Sequence, residues 1–73
     1  MNHSSPAGAR LGEVVTFDES AGYGTVRDAH GEWFLHCTAI ANGSRAVAVG
    51  TAVRFVLAPG HRGRMEARDL RPA

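Results

Sequence analysis

Five short runs of β-branched and aromatic residues, each closed by a polar or glycine-bearing turn, occupy most of this 73-residue chain. No segment has the apolar period of a long helix. Short strands at regular spacing with glycine-rich turns read as an all-β architecture. The chain sits near the lower size limit for a self-sufficient core and is too small for two packed sheets. An open sheet would leave unpaired edges, and closing it on itself removes them. The expected fold is therefore a small, five-stranded β-barrel.

The runs can be placed individually. Leu11–Asp18 is rich in β-branched residues and forms the first strand, followed by a turn at Asp18-Glu-Ser-Ala-Gly22. Gly22 and Gly24 flank Tyr23 at the start of the second strand, Tyr23–Arg27. Glycine in such a place marks a bulge, a sharp coil or a close backbone approach. Asp28-Ala-His-Gly31 closes a hairpin, with Gly31 expected at positive φ, and Glu32–His36 is the third strand. Cys37-Thr-Ala-Ile40 reads as one helical or 3₁₀ turn, ended by Asn42-Gly43. Ser44–Val49 is a surface connection whose Val47 and Val49 are expected to tuck under the barrel. Thr51–Ala58 alternates, with Val53, Phe55 and Leu57 on one side. Pro59-Gly-His-Arg-Gly63 is a loop, and Met65–Leu70 is the last strand, with Ala67 and Leu70 as core contacts. Residues 1–9 are small and polar and read as a flexible N-terminal arm, leaving 10–71 as the barrel domain.

The segment from Gly22 to Ile40 carries most of the aromatic residues. Side chains two apart on a strand share a face. Phe34 and His36 thus lie on one face, with Trp33 and Leu35 on the other. If the second is the core, the first shows a ring and an imidazole to water. A small domain has little reason to display flat rings on a sheet unless something flat stacks on them.

The totals exclude several classes. No apolar run approaches the ~18–20 residues that span a bilayer. Met-Asn-His-Ser-Ser-Pro lacks the apolar core of a secretion signal. A single cysteine permits no internal disulfide. The expectation is a soluble cytoplasmic protein without a cofactor. Net charge is only +1, although all eight basic residues are arginine, which suits planar stacking and bidentate phosphate contacts. GC-rich coding also favours arginine, and that compositional explanation stands ahead of the functional one. Arg62, Arg64, Arg68 and Arg71 cluster near the C-terminus, either around a site or on a solvated outer face.

Three chemical readings fail on geometry. Cys37 beside His36 suggests a thiol–imidazole pair, but adjacent strand residues point to opposite faces and no third orienting group is evident. A zinc site from His30, His36, Cys37 and His61 has no recognisable ligand spacing. Gly22-Tyr-Gly24 is not a phosphate-cradling loop, because no helix follows it. No convergent acid, base or nucleophile set marks an enzyme.

Taken in order, Gly12-x-Val14-x-x-Phe17-Asp18, Gly22-Tyr23-Gly24-x-Val26, Phe34-Leu35-His36-x-x-Ala39-Ile40 and Gly50-x-x-Val53-x-Phe55 resemble the cold-shock domain of bacterial cold-shock proteins. The resemblance covers about residues 10–71. It implies a five-stranded antiparallel OB-type barrel that binds single-stranded RNA or DNA through two ribonucleoprotein-like motifs on adjacent strands. Tyr23 matches the first aromatic of the Gly-aromatic-Gly-aromatic motif. Phe34 and His36 match the Phe and His of the second motif, and Phe17 matches the Phe of the family's Lys-Trp-Phe-Asn run. The resemblance makes these four a base-stacking platform, with Arg27, Arg62 and Arg64 as phosphate contacts at its rim. Thr16, Thr25 and Cys37 stand where the family carries aromatic rings. Trp33 stands where it has a small inward Val, so either the local core is rebuilt or the indole leans out at the barrel's edge. For Phe17 both an outward and a bulge-driven inward orientation stand open.

Two functional classes follow. The first is a monomeric, noncatalytic single-stranded nucleic-acid-binding module of RNA-chaperone type with a reduced aromatic platform, using no membrane and no ATP. The second is a small β-barrel that has moved from nucleic acid to a protein partner.

Overall fold

The computed structural model describes residues 8–60 and 63–73. Strand β1 covers Arg10–Asp18, β2 Tyr23–Asp28, β3 Gly31–His36, β4 Ala52–Pro59 and β5 Met65–Pro72, with one 3₁₀ turn at Cys37–Ala39. Each expected strand is present, and β5 runs on past Leu70. Of the arm expected over 1–9, residues 1–7 lie outside the described residues. No helix among the described residues is long and apolar enough to cross a membrane.

The strands close into a barrel in the order β1-β2-β3-β5-β4. The expectation of a wholly antiparallel barrel is corrected at one seam. β3 and β5 run parallel, paired at Phe34 and Glu66, and a parallel bridge joins Ile40 to Leu70. Neighbours in a closed ring can alternate direction all the way round only if their number is even. Five strands must leave one parallel seam.

The interior is filled by Val14, Val26, Leu35, Val53, Phe55, Ala67 and Leu70, with Ala39 and Ile40 closing one end. Two bulges decide which residues reach it. In β1, Val14 pairs with Val26 and Thr16 with Thr25, so Val15 is the extra residue. In β5, Arg68 pairs with Val56 and Arg71 with Arg54, so Asp69 and Leu70 together face Phe55. Asp69 takes φ 54, a left-handed conformation that aspartate accepts better than most residues. That twist brings Leu70 inward three residues after Ala67, where strict alternation would have brought Asp69.

Between the 3₁₀ turn and β4 the chain crosses the barrel's end. Val47 packs against the core as expected, but Val49 does not tuck under and is 61% exposed. The reason is a turn over 48–51, in which the Thr51 N–H donates to the Ala48 carbonyl. Gly50 supplies its positive φ of 91, and Val49 occupies the outward corner.

Trp33 resolves to the barrel's edge. The ring is partly buried against the core cluster, with the Arg10 guanidinium 5.6 Å from its centroid. Its indole N–H donates to Asp28 Oδ1 at 3.2 Å. Arg10 Nε donates to Asp28 Oδ2, and the His30 N–H donates to Oδ1 at 2.8 Å. The Asp28 side chain is 3% exposed. Burial alone would raise its pKa; the Arg10 bond, the His30 and Trp33 donors and the Arg10 charge outweigh this and hold it at about 2. The indole is accommodated here because its polar edge is satisfied and an arginine covers its face.

Two expectations follow. Asp28 binds a proton less readily folded than unfolded, so its stabilisation is complete above its ordinary value of 3.8 and is lost as pH falls towards about 2. That contribution is at most about 2 kcal/mol. Thermal unfolding followed by circular dichroism should show the wild type losing stability over this window and Asp28→Asn losing less. Separately, a Cβ on Gly24 would lie 2.0 Å from the Thr16 carbonyl oxygen and 2.7 Å from the Phe17 Cα. Gly24→Ala should destabilise the barrel by about 2 kcal/mol or more, because backbone must move to admit it. Denaturant titration measures the loss.

Candidate nucleic-acid interface

Directly paired residues on neighbouring strands share a face, so the register sorts the outer surface of β1, β2 and β3 into rows. One row is Asp18, Tyr23 and His36. The next is Thr16, Thr25 and Phe34, continued onto β5 by Glu66. The third is Glu13, Arg27 and Glu32. Alternation thus places Tyr23, Phe34 and His36 together on one outer face, while Leu35 and Val26 fill the core behind them.

The three rings are contiguous. Tyr23 and Phe34 have centroids 5.7 Å apart at an interplanar angle of 33°; Phe34 and His36 are 6.4 Å apart at 38°. Tyr23 is 49% exposed. His36 is also the N-cap of the 3₁₀ turn. The Thr38 N–H donates to its Nδ1 at 3.2 Å, and the Thr38 hydroxyl lies 2.9 Å from the same nitrogen. A backbone amide can only donate, so Nδ1 accepts and the neutral ring carries its proton on Nε2. The cap fixes the plane of the imidazole beside Phe34.

Phe17 lies partly apart. The β1 bulge pairs it with Gly24, which pairs in turn with Leu35, so it sits on the inward side of the register. It packs against the core cluster and also lines a groove with Thr16, Asp18, Tyr23, Thr25, Phe34 and Arg64. A second groove beyond Phe34 is lined by His36, Thr38, Ala39, Glu66 and Arg68.

Of the expected arginines, Arg64 joins the first groove, while Arg62 lies outside the described residues. Arg27 is on the platform face, but Glu13 and Glu32 flank it in its row, and its Nη1 is 3.9 Å from Glu32 Oε2. Arg68 was legible in the sequence only as one of a terminal cluster. The register of β5 against β3 brings it beside the rings, where Glu66 Oε1 accepts from its Nη2 at 3.4 Å.

Sequence reasoning also missed a contact between two of the substituted positions. Thr16 and Thr25 pair directly across β1 and β2, and their hydroxyl oxygens are 2.9 Å apart. Where the resemblance implies two adjacent rings, the structure has one hydrogen-bonded polar step. Cys37, the third, is buried and belongs to the barrel's interior rather than the platform. At the end of the groove, Asp18 accepts from the Ala21 N–H and from the Ser20 hydroxyl and N–H. The Ala21 and Ser20 bonds lower its pKa against a small opposing effect of burial, keeping it an anion.

The His36–Cys37 pair departs from the expectation that neighbours point apart. Strand β3 ends at His36, alternation stops there, and Sγ comes 4.0 Å from Nδ1. That nitrogen is already engaged by Thr38, which leaves no short thiol–imidazole contact of the kind a nucleophile needs. Among the described residues no three His, Cys, Asp or Glu side chains form a metal-binding group, and His61 lies outside them.

No curated protein matches the chain. A family model does: that of the 'Cold-shock' DNA-binding domain, over residues 10–72. The match begins with the first residue of β1 and ends with the last of β5, so it takes in every strand of the barrel and every row of its outer face. The chain belongs to the 'Cold-shock' DNA-binding domain family, a family of nucleic-acid-binding domains.

Proposed function

We propose that this chain is a noncatalytic single-stranded nucleic-acid-binding module that stacks bases on Tyr23, Phe34 and His36. The observation that carries the reading is the unbroken array of three rings on one outer face, in a domain whose family binds nucleic acid. Every base has a π-face, so stacking of this kind accepts sequence broadly. Phe17 supports the array from its edge. Arg64 and Arg68 hold phosphate beside the two grooves, and Arg27, offset by Glu13 and Glu32, contributes less. Binding and release need no ATP, which suits an RNA chaperone that keeps strands open.

The platform is short of rings at Thr16 and Thr25, and carboxylates share its face. That distribution favours modest affinity carried by stacking rather than by charge. It also supports a second reading, in which the same face takes a protein partner. Fluorescence anisotropy of labelled single-stranded oligonucleotides, at low and physiological salt, separates the two. Micromolar binding that persists at physiological salt supports stacking; absence of binding at both salts supports the protein partner.

Three outcomes are expected from that titration. Phe34→Ala should weaken binding by at least ~1 kcal/mol while the circular dichroism of the barrel is unchanged; equal affinity would sink the platform. With two arginines on phosphate, log K should fall against log salt with a slope of only about −1.4. Thr16→Trp, which places a ring in the row of Phe34 on the far side of Thr25, should tighten binding by about 1 kcal/mol or more.

A further inference from the structure

The Thr16–Thr25 step is a built feature of the groove. It lies in the same row as Phe34, one strand from the ring that the proposed function uses for stacking. Its groove is lined by the aromatic residues Tyr23, Phe34 and Phe17, with Asp18 and Arg64 also lining it. A base stacked on Phe34 therefore lays one edge over two hydroxyls.

Those hydroxyls are not neutral in their demands. Each oxygen has two acceptor positions and one proton. Within the pair one hydroxyl donates to the other, at 2.9 Å. What remains is one donor and a surplus of acceptors. Asp18, one row away, is acceptor-only as a carboxylate. Arg64 brings only donors, and a guanidinium is best matched to phosphate.

We propose that the Thr16–Thr25 pair selects bases that carry an exocyclic amino group, so that the platform prefers cytosine to uracil at this position. At the 4-position cytosine presents an amino donor where uracil presents a carbonyl acceptor; uracil's edge donor is instead its ring N3–H, where cytosine has an acceptor, so the discrimination comes from the 4-substituent lying over the hydroxyls. Stacking supplies the affinity and the hydroxyl pair supplies the discrimination. The inference rests on the nucleic-acid-binding reading.

The test is anisotropy titration of labelled oligo(rC) and oligo(rU) of equal length at neutral pH, with wild type and with the double variant Thr16→Val, Thr25→Val. Valine keeps the β-branched shape and strand preference while removing both hydroxyls. One or two hydrogen-bond differences predict that wild type binds oligo(rC) about three- to tenfold more tightly. The folded double variant should bind both oligomers with equal affinity. A wild type that binds oligo(rU) as well or better would overturn the inference, and would point to Arg64 reading the base. A preference for oligo(rC) that survives in the valine variant would also overturn it. Failure of wild type to bind either oligomer would remove the underlying reading itself, and the inference with it.

Discussion

The parity of the ring is the constraint on which the rest of this barrel depends. Five strands cannot alternate direction around a closed circle, so two must meet in parallel, and here they are β3 and β5. Parallel neighbours cannot be joined by a tight turn. The chain therefore leaves β3 through a 3₁₀ turn, crosses the end of the barrel and enters β4 before returning as β5. The paired contacts of this seam are few, Phe34 with Glu66 and Ile40 with Leu70. Phe34 thus sits both among the outer-face rings and on the seam, and β5 brings Glu66 and Arg68 to the rings as a consequence of closure.

The second determinant is the pair of bulges. Without the extra residue at Val15, period-two alternation would keep Phe17 outward and turn Thr16 towards the core. With it, Phe17 faces the side of Leu35 and Thr16 meets Thr25. The close approach that this coiling demands is what excludes a side chain at Gly24. In β5 the bulge at Asp69 performs the corresponding turn for Leu70. Single inserted residues therefore decide which groups a ligand could meet.

This explains what was legible in the chain and what was not. Phe34 and His36 could be assigned to one face because β3 is regular and alternation holds through it. Ala67 and Leu70 were identified by hydrophobicity, although their spacing required a bulge that alternation alone does not predict. Val49 was expected under the barrel with Val47 because both are apolar residues of one connection, whereas the turn hydrogen bond from Thr51 to Ala48 puts it at a corner. The cluster of Arg10, Asp28 and Trp33 joins the start of β1 to the β2–β3 hairpin, a tertiary relation with no local signature. The Thr16–Thr25 contact was hidden for the same reason: each threonine alone reads as a lost ring, and only register makes them a pair.

Electrostatics then sets the character of the face. Each of its rows contains a carboxylate: Asp18 beside Tyr23, Glu66 beside Phe34, and Glu13 and Glu32 around Arg27. A surface that relied on backbone phosphate would place its cations in the rows and its anions elsewhere, since phosphate attraction acts through uncompensated charge. Here the rings are central, and Arg64 and Arg68 stand beside them. Stacking is short-ranged and insensitive to that mixture of signs. Hydrogen bonding from a base edge is sensitive to it, because acceptors reward amino groups and repel carbonyls. On the proposed reading, two hydroxyls set among carboxylates, in place of the rings the resemblance implies, exchange affinity common to all bases for interactions that differ between them.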